Sequence, residues 1–336
     1  MNTKNLAQRC IAVLGAVTLL AFAPMAQAQQ VNPTAEAVNA EVLLEALQDD
    51  QMVAGRVSIP DKLASGLIKP ANKSWASTHT GLVRVLTIVA IVGAVVILGL
   101  FYMVRGRIMI DGKMSGIRIL RFSAFERFSH WLMSGSFIIL ALTGLNLVLG
   151  RIIILPWLGE GAFSTITAWG KVSHNYVGWA FMVGLILSFI VWVAHNIPTK
   201  IDLNWLAQGG GIFKKGVHPP AKKFNAGQKV IFWSVMTGGA ALSVTGFMLL
   251  FPIIAGTQAD WQFYQLIHGL VAAGLSFIII AHIYIGSVGM EGAFDAMAKG
   301  DVDLNWAKEH HSLWVEEMQI NADKKDSSAK PAHPAE

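Results

Sequence analysis

Five stretches contain no Asp, Glu, Lys or Arg: 85–104, 128–150, 172–199, 230–259 and 261–290. Each has at least 20 residues, and at 1.5 Å per residue about 20 helical residues cover roughly 30 Å, the thickness of a bilayer's hydrocarbon core. Backbone polar groups in lipid must be satisfied within the segment, so such stretches are read as helices. Composition agrees: 54% of the 336 residues are hydrophobic and 14% charged, a profile of membrane proteins rather than of water-soluble domains. The fold class expected is all-α, a transmembrane helical bundle.

Residues 1–28 carry Lys4 and Arg9, an apolar run from Ile11 to Phe22 and the sequence Ala26-Gln27-Ala28. These are the three parts of a secretory signal with its cleavage site. Cys10, the only cysteine, lies in this leader, so a processed chain has no thiol for disulfides, iron–sulfur ligation or thioether links. Residues 29–79 are a polar segment broken by Pro33, Pro60 and Pro70. Residues 80–104 form a first span, 105–290 a four-helix core, and 291–336 a tail expected to be disordered after about 321.

Cleavage would leave the mature N-terminus in the periplasm and place 105–127 and 198–229 in the cytoplasm. The first of these loops holds Arg105, Arg107, Lys113, Arg118, Arg121 and Arg127; the second holds Lys200, Lys214, Lys215, Lys222, Lys223 and Lys229. Loops 150–171 and 252–262 hold only Arg151 and Lys171. The positive-inside rule therefore gives the same orientation, with the C-terminus cytoplasmic in a bacterial inner membrane. Confinement of the basic residues to loops also argues against nucleic acid as a partner and for membrane lipid.

Ionisable groups inside spans mark function. His130 opens the second span, His174 the third, and His268 and His282 lie in the fifth, 14 residues apart. Fourteen residues rotate a helix by about 1400°, some 40° short of four turns, and advance it about 21 Å. Both histidines thus share a face but cannot hold one metal. Matching depths pairs His130 with His282 near the cytoplasmic face and His174 with His268 near the periplasmic face. Two bis-histidine haems would suit such pairs, with no axial position left for oxygen. The competing readings are interhelical hydrogen bonding by each histidine and a proton channel or transporter, although the spans contain no Asp or Glu to relay protons. Gly178 and Gly269 stand near these histidines, either admitting a macrocycle or packing helices. His195 reads as interfacial, and His310 and His311 as residues of an exposed helix. No internal repeat is evident.

A set of ordered motifs runs through 118–317: Glu126-Arg127-Phe128-Ser129-His130-Trp131, Ala194-His195-Asn196-Ile197-Pro198, Lys223-Phe224-Asn225-Ala226-Gly227-Gln228-Lys229, Leu266-Ile267-His268 and Trp306-Ala307-Lys308-Glu309-His310-His311. This set resembles the gamma, or cytochrome b556, subunit of membrane-bound formate dehydrogenases. The resemblance implies a four-helix di-haem cytochrome b core, to which the first span is an N-terminal addition. It further implies two haem b groups on His130, His174, His268 and His282, and quinone near Asn225, Gly227 and Gln228. Asn225 and Gln228 also have the spacing of a helix capping box. The partners implied are an iron–sulfur beta subunit, which segment 29–79 is expected to contact, and a molybdenum- or tungsten-dependent alpha subunit that oxidises formate. A cytochrome b subunit of a nickel–iron hydrogenase would share the fold and the histidines.

Overall fold

The computed structural model describes residues 75, 77–213 and 216–329; the expected leader and nearly all of segment 29–79 lie outside the described residues. From Thr78 the chain forms one compact unit. It is an all-α bundle in which five helices, Ser77–Arg105, Ala124–Ile153, Leu155–His195, Ala226–Leu250 and Gln258–Gly289, are long and apolar enough to cross a membrane.

Helix α1 (Arg84–Arg105) follows a π-helical turn (Ser77–Val83). Strand β1 (Arg118–Leu120), α2 (Ala124–Ile153), α3 (Leu155–Trp192), α4 (Lys200–Ala207), α5 (Ala226–Leu250) and α6 (Gln258–Tyr284) follow. Strand β2 (Asp301–Asp303), α7 (Leu304–His310) and α8 (Ser312–Ala329) complete the chain. Reciprocal capping boxes fix where helices begin: Ser123 with Glu126 at α2, Asn225 with Gln228 at α5 and Thr257 with Asp260 at α6. Each satisfies two backbone N–H groups that a helix start leaves without partners.

Helices α2 and α3 form one hairpin, α5 and α6 another, and α3 packs on α5. A Cβ on Gly184 of α3 would lie 2.7 Å from the Met133 backbone of α2, so only glycine lets these two helices approach this closely. Helix α1 lies along α6. Segment 150–171, expected as a loop, is mostly helical. Helix α3 begins at Leu155 with Pro156 in its first turn and bends at Gly159, where φ is 74°. Beyond that bend no proline interrupts the helix, and Ala162, Phe163, Ile166, Ala168 and Trp169 carry its apolar character on.

At the end where the Lys- and Arg-rich segments gather, here the basic end, the chain builds a folded cap. Strand β1 pairs antiparallel with β2, Arg118 opposite Asp303 and Leu120 opposite Asp301. Phe122, Phe224, Val302, Trp306, Trp314 and Val315 are buried together beneath it. Asp303 accepts hydrogen bonds from the Ser115, Gly116 and Asn305 N–H groups. Burial works to raise its carboxyl, but these bonds outweigh burial and hold it below the usual range. The segment after 291, read from sequence as a plain tail, thus contributes a strand and much of a small core. Helix α8 continues past residue 321 to Ala329.

Candidate functional site

The four membrane histidines come together as two pairs. His130 of α2 faces His282 of α6 with ring centroids 6.3 Å apart, and His174 of α3 faces His268 of α6 at 6.2 Å. Two metal–imidazole bonds of about 2 Å each, plus the nitrogen-to-centre distance of both rings, put such centroids about 6 Å apart. The spacing is too long for a direct hydrogen bond between rings and fits one metal between each pair. Among the described residues no three His, Cys, Asp or Glu side chains cluster as a metal cage. Two axial imidazoles suit a metal whose remaining ligands arrive with it, as in haem.

The two pairs differ in what orients them. In the pair far from the basic end, Thr143 Oγ1 lies 2.8 Å from His174 Nδ1 and Thr245 Oγ1 lies 2.9 Å from His268 Nδ1. Each threonine donates its own proton to a helix carbonyl, Thr143 to Ile139 at 2.8 Å and Thr245 to Ala241 at 2.7 Å. Each must therefore accept from the imidazole, which places the ring proton on Nδ1 and leaves the Nε2 lone pair free. The residues that follow are Gly144 and Gly246, whose added Cβ would sit 3.5 and 3.3 Å from the Cε1 atoms of the same two histidines. A Thr-Gly dipeptide on the first helix of each hairpin thus buttresses a histidine on the second. Sequence reading missed this echo because two residues repeated 102 positions apart do not register as a repeat. Gly178 and Gly269 play no such part: a Cβ at Gly178 would meet nothing within 4 Å, and one at Gly269 would meet Val83 at 2.8 Å. Gly269 is a seat for the helical turn that leads into α1.

At the basic-end pair, His130 Nδ1 is buried without a hydrogen-bond partner. Trp131 meets the His130 ring edge-on at 5.2 Å and Trp192 stands 6.3 Å away. A cavity of about 580 Å³ runs from His130 and His282 to Asn225, Gly227 and Gln228, with apolar walls that include Phe181 and Ile279. Asn225 Oδ1 accepts from the Gln228 N–H at 2.9 Å, and Gln228 Oε1 accepts from the Asn225 N–H at 3.1 Å. Capping therefore consumes both side-chain oxygens and leaves both amide NH₂ groups as donors. A Cβ on Gly227 would press on Trp205 at 3.1 Å, so this glycine makes room for an indole at the cavity wall.

Several of the sequence motifs turn out to hold the cap onto the bundle. Glu126 pairs with Lys223 at 2.6 Å and accepts from Trp192 Nε1 at 3.0 Å. Lys229, buried, reaches Asp202 at 2.8 Å and the Ile197 carbonyl at 3.0 Å. Trp233 Nε1 donates to the Asn196 carbonyl at 2.9 Å. His195 lies exposed in a 3₁₀ turn (Val193–His195) beside these contacts. His310 and His311, expected on an exposed helix, are drawn into the cap: His311 is 1% exposed and His310 stacks on Trp306 at 4.9 Å. The reason is packing, since Trp306 and Trp314 must be buried and their neighbours follow. Burial, with Arg121 alongside, holds the His311 imidazole well below its ordinary range, hence neutral.

Residues 121–300 match the family described as prokaryotic cytochrome b561. The cytochrome b556(Fdn) subunit of the nitrate-inducible formate dehydrogenase of Escherichia coli K12 is 33% identical over 213 residues, covering 62% of this chain and 95% of that protein. The E. coli K12 cytochrome b556(fdo) subunit of formate dehydrogenase is 28% identical over 209 residues, 62% of this chain and 96% of its own length. The formate dehydrogenase cytochrome b556 subunit of Haemophilus influenzae is 28% identical over 214 residues, 61% and 85% respectively.

Proposed function

Because this chain belongs to the prokaryotic cytochrome b561 family and is a multi-pass membrane cytochrome b, we propose that it is the electron-carrying subunit of a formate dehydrogenase. In this reading it takes electrons from a periplasmic iron–sulfur subunit, itself served by a molybdenum- or tungsten-dependent catalytic subunit, and delivers them to quinone at the basic, cytoplasmic end. Two haem b groups are held, one between His174 and His268 and one between His130 and His282. Bound there, haem supplies reversible one-electron transfer and offers no open position to oxygen. The observation that carries the reading is the spacing of the two histidine pairs, each set for one metal, with about 21 Å between the pairs by the rise along α6 from His268 to His282.

The chain's own residues do the positioning. Thr143 and Thr245 fix two imidazoles in the tautomer that presents Nε2. Apolar side chains such as Phe181 and Ile279 line much of the basic-end cavity. At its mouth the Asn225 and Gln228 amides, oriented by their mutual capping, are placed to donate to a quinone carbonyl. Haem quantitation and reduced-minus-oxidised spectra of the purified protein test the reading: two b-type haems per chain are expected. Fewer than two would overturn the assignment of both pairs.

A further inference from the structure

Arg121 follows β1 and lies beneath the cap, 3% exposed. Its guanidinium is sandwiched by the Phe122, Trp306 and Trp314 rings, with centroids 5.2, 5.4 and 5.2 Å away. Nη2 donates to the Lys223 carbonyl at 2.7 Å and approaches His311 Nε2 at 2.9 Å. His311 Nδ1 donates to the Lys222 carbonyl at 2.8 Å, so its Nε2 is the acceptor and the ring is neutral. Glu126, the nearest carboxylate in charge terms, already serves Lys223 and Trp192. The cation is thus buried among neutral partners, and burial pushes the Arg121 guanidinium down to about 9. A charge withdrawn from water without a counter-ion is costly, and proteins keep one only when an anion answers it.

Two donors here are unanswered. Arg121 Nη1 and Trp306 Nε1 are both buried without hydrogen-bond partners, and both residues line the cavity that contains His130 and His282. We propose that Arg121 Nη1 and Trp306 Nε1 form a carboxylate-binding subsite for a propionate of the haem held between His130 and His282. This rests on the haem reading above. A guanidinium and an indole N–H meeting one carboxylate is the charge-assisted arrangement such a group seeks. A continuous run of aromatic contacts joins the two: His130 to Trp192 at 6.3 Å and Trp192 to Phe122 at 5.9 Å between centroids, with Arg121 over Phe122 at 5.2 Å. The subsite also gives the buried Trp306 a role beyond packing: its face covers Arg121 while its N–H is left for the carboxylate.

The test uses the purified full chain in detergent or nanodiscs, with haem counting, redox potentiometry and resonance Raman spectra of the propionate bending modes. Trp306→Phe keeps an aromatic face and removes the donor, with some loss of ring volume. Arg121→Gln removes the charge, and Arg121→Lys restores it without the planar fork. In Trp306→Phe the bending mode of one haem should move to the frequency of a weaker hydrogen bond, with the other haem unchanged. In Arg121→Gln that same haem's midpoint potential should fall, because an uncompensated carboxylate stabilises ferric iron, and Arg121→Lys should recover part of the fall. Wild-type spectra should be indifferent to added acetate. An acetate-dependent shift that Arg121→Gln abolishes would overturn the proposal in favour of a mobile carboxylate. Two haems with unchanged Raman modes and potentials in Trp306→Phe would also overturn it, whatever becomes of the Arg121 variants. A wild-type protein with fewer than two haems would instead sink the functional reading on which the subsite depends.

Discussion

The two histidine pairs have nearly the same spacing, 6.2 and 6.3 Å, yet they are built on different plans. The far pair is made by near-symmetric hairpins: Thr143-Gly144 of α2 braces His174 of α3, and Thr245-Gly246 of α5 braces His268 of α6. The basic-end pair breaks that symmetry. It joins α2 to α6, leaves His130 Nδ1 without a partner, and opens into a cavity roofed by the cap. Partners on the second nitrogen fix a ligand's tautomer and tune its basicity. The bundle itself therefore presets the far pair, whereas the basic-end pair depends on what fills its cavity and on the cap above it.

Removing the proposed haem ligands breaks the comparison most severely. His174→Ala or His268→Ala should leave one haem per chain, and His130→Ala or His282→Ala should leave the other. Pyridine haemochrome assays on the four variants check this. The surviving haem should keep its own midpoint potential, because the two pairs have no histidine in common and stand about 14 residues apart along α6, roughly 21 Å. A single substitution that emptied both sites would show the pairs to be one structural unit.

A finer probe is Thr143→Val together with Thr245→Val, nearly isosteric changes that delete the acceptors on Nδ1. Loss of such outer contacts typically costs about 10–100-fold in metal-site affinity. An imidazole that no longer shares its Nδ1 proton is a poorer donor to ferric iron, so the far haem's potential should rise. A hydrogen bond is worth about 0.5–1.5 kcal/mol, so at about 59 mV per tenfold change the two deleted bonds together bound the rise near 40–130 mV. Potentiometric titration should show one wave move while the other stays.

How much of this was legible beforehand follows from the length scale of each signal. Spans of 20 or more uncharged residues announce themselves, and the 14-residue interval from His268 to His282 fixes a face and a depth by helix geometry alone. The cap did not announce itself. Strands β1 and β2 are three residues each, too short for alternation to register, and they pair across 180 residues of intervening chain. The capping box at Asn225 and Gln228 was readable as such, because it is a local pattern. Thr143 and Thr245 were not, since a threonine bonding its own i−4 carbonyl looks like any other helical threonine until its neighbour across the hairpin is known. The same limit misplaced His310 and His311: nothing local says that a histidine after Trp306 is buried.

Those two histidines give the cap a pH response of its own. Burial, with Arg121 nearby, depresses His311, and burial likewise depresses His310. An opened cap returns each to its ordinary value near 6.5, so below that pH the open form binds protons that the closed form refuses. Stability contributed by the neutral rings is complete above pH 6.5 and falls as the solution is acidified, by up to about 1.4 kcal/mol per pH unit for each histidine. Limited proteolysis within 291–320 should therefore accelerate between pH 6.5 and 5, and His311→Gln should flatten that slope. The spectrum of the far haem should not follow it. An equal response at both pairs would show that the cap is not the acid-sensitive part.

The smallest effect separates the two halves of the far pair from each other. Gly144→Ala introduces a Cβ at 3.5 Å from His174 Cε1, an ordinary contact, and replacing a helical glycine by alanine gains up to about 1 kcal/mol of helix propensity. That variant should be as stable as the wild type or slightly more so, with an unshifted far-haem potential. Gly246→Ala puts its Cβ at 3.3 Å from His268 Cε1, close enough that the ring must give by a few tenths of an ångström, and that ring is held by Thr245 on the same helix. The propensity gain and the crowding then oppose each other, and the displacement falls on the bond between Thr245 Oγ1 and His268 Nδ1. Electron paramagnetic resonance of the ferric protein, which reads the relative orientation of axial imidazole planes, should detect a change in Gly246→Ala and none in Gly144→Ala. Identical spectra for the two variants would mean that the hairpins are interchangeable, and that the difference of 0.2 Å between their glycines has no bearing on the site.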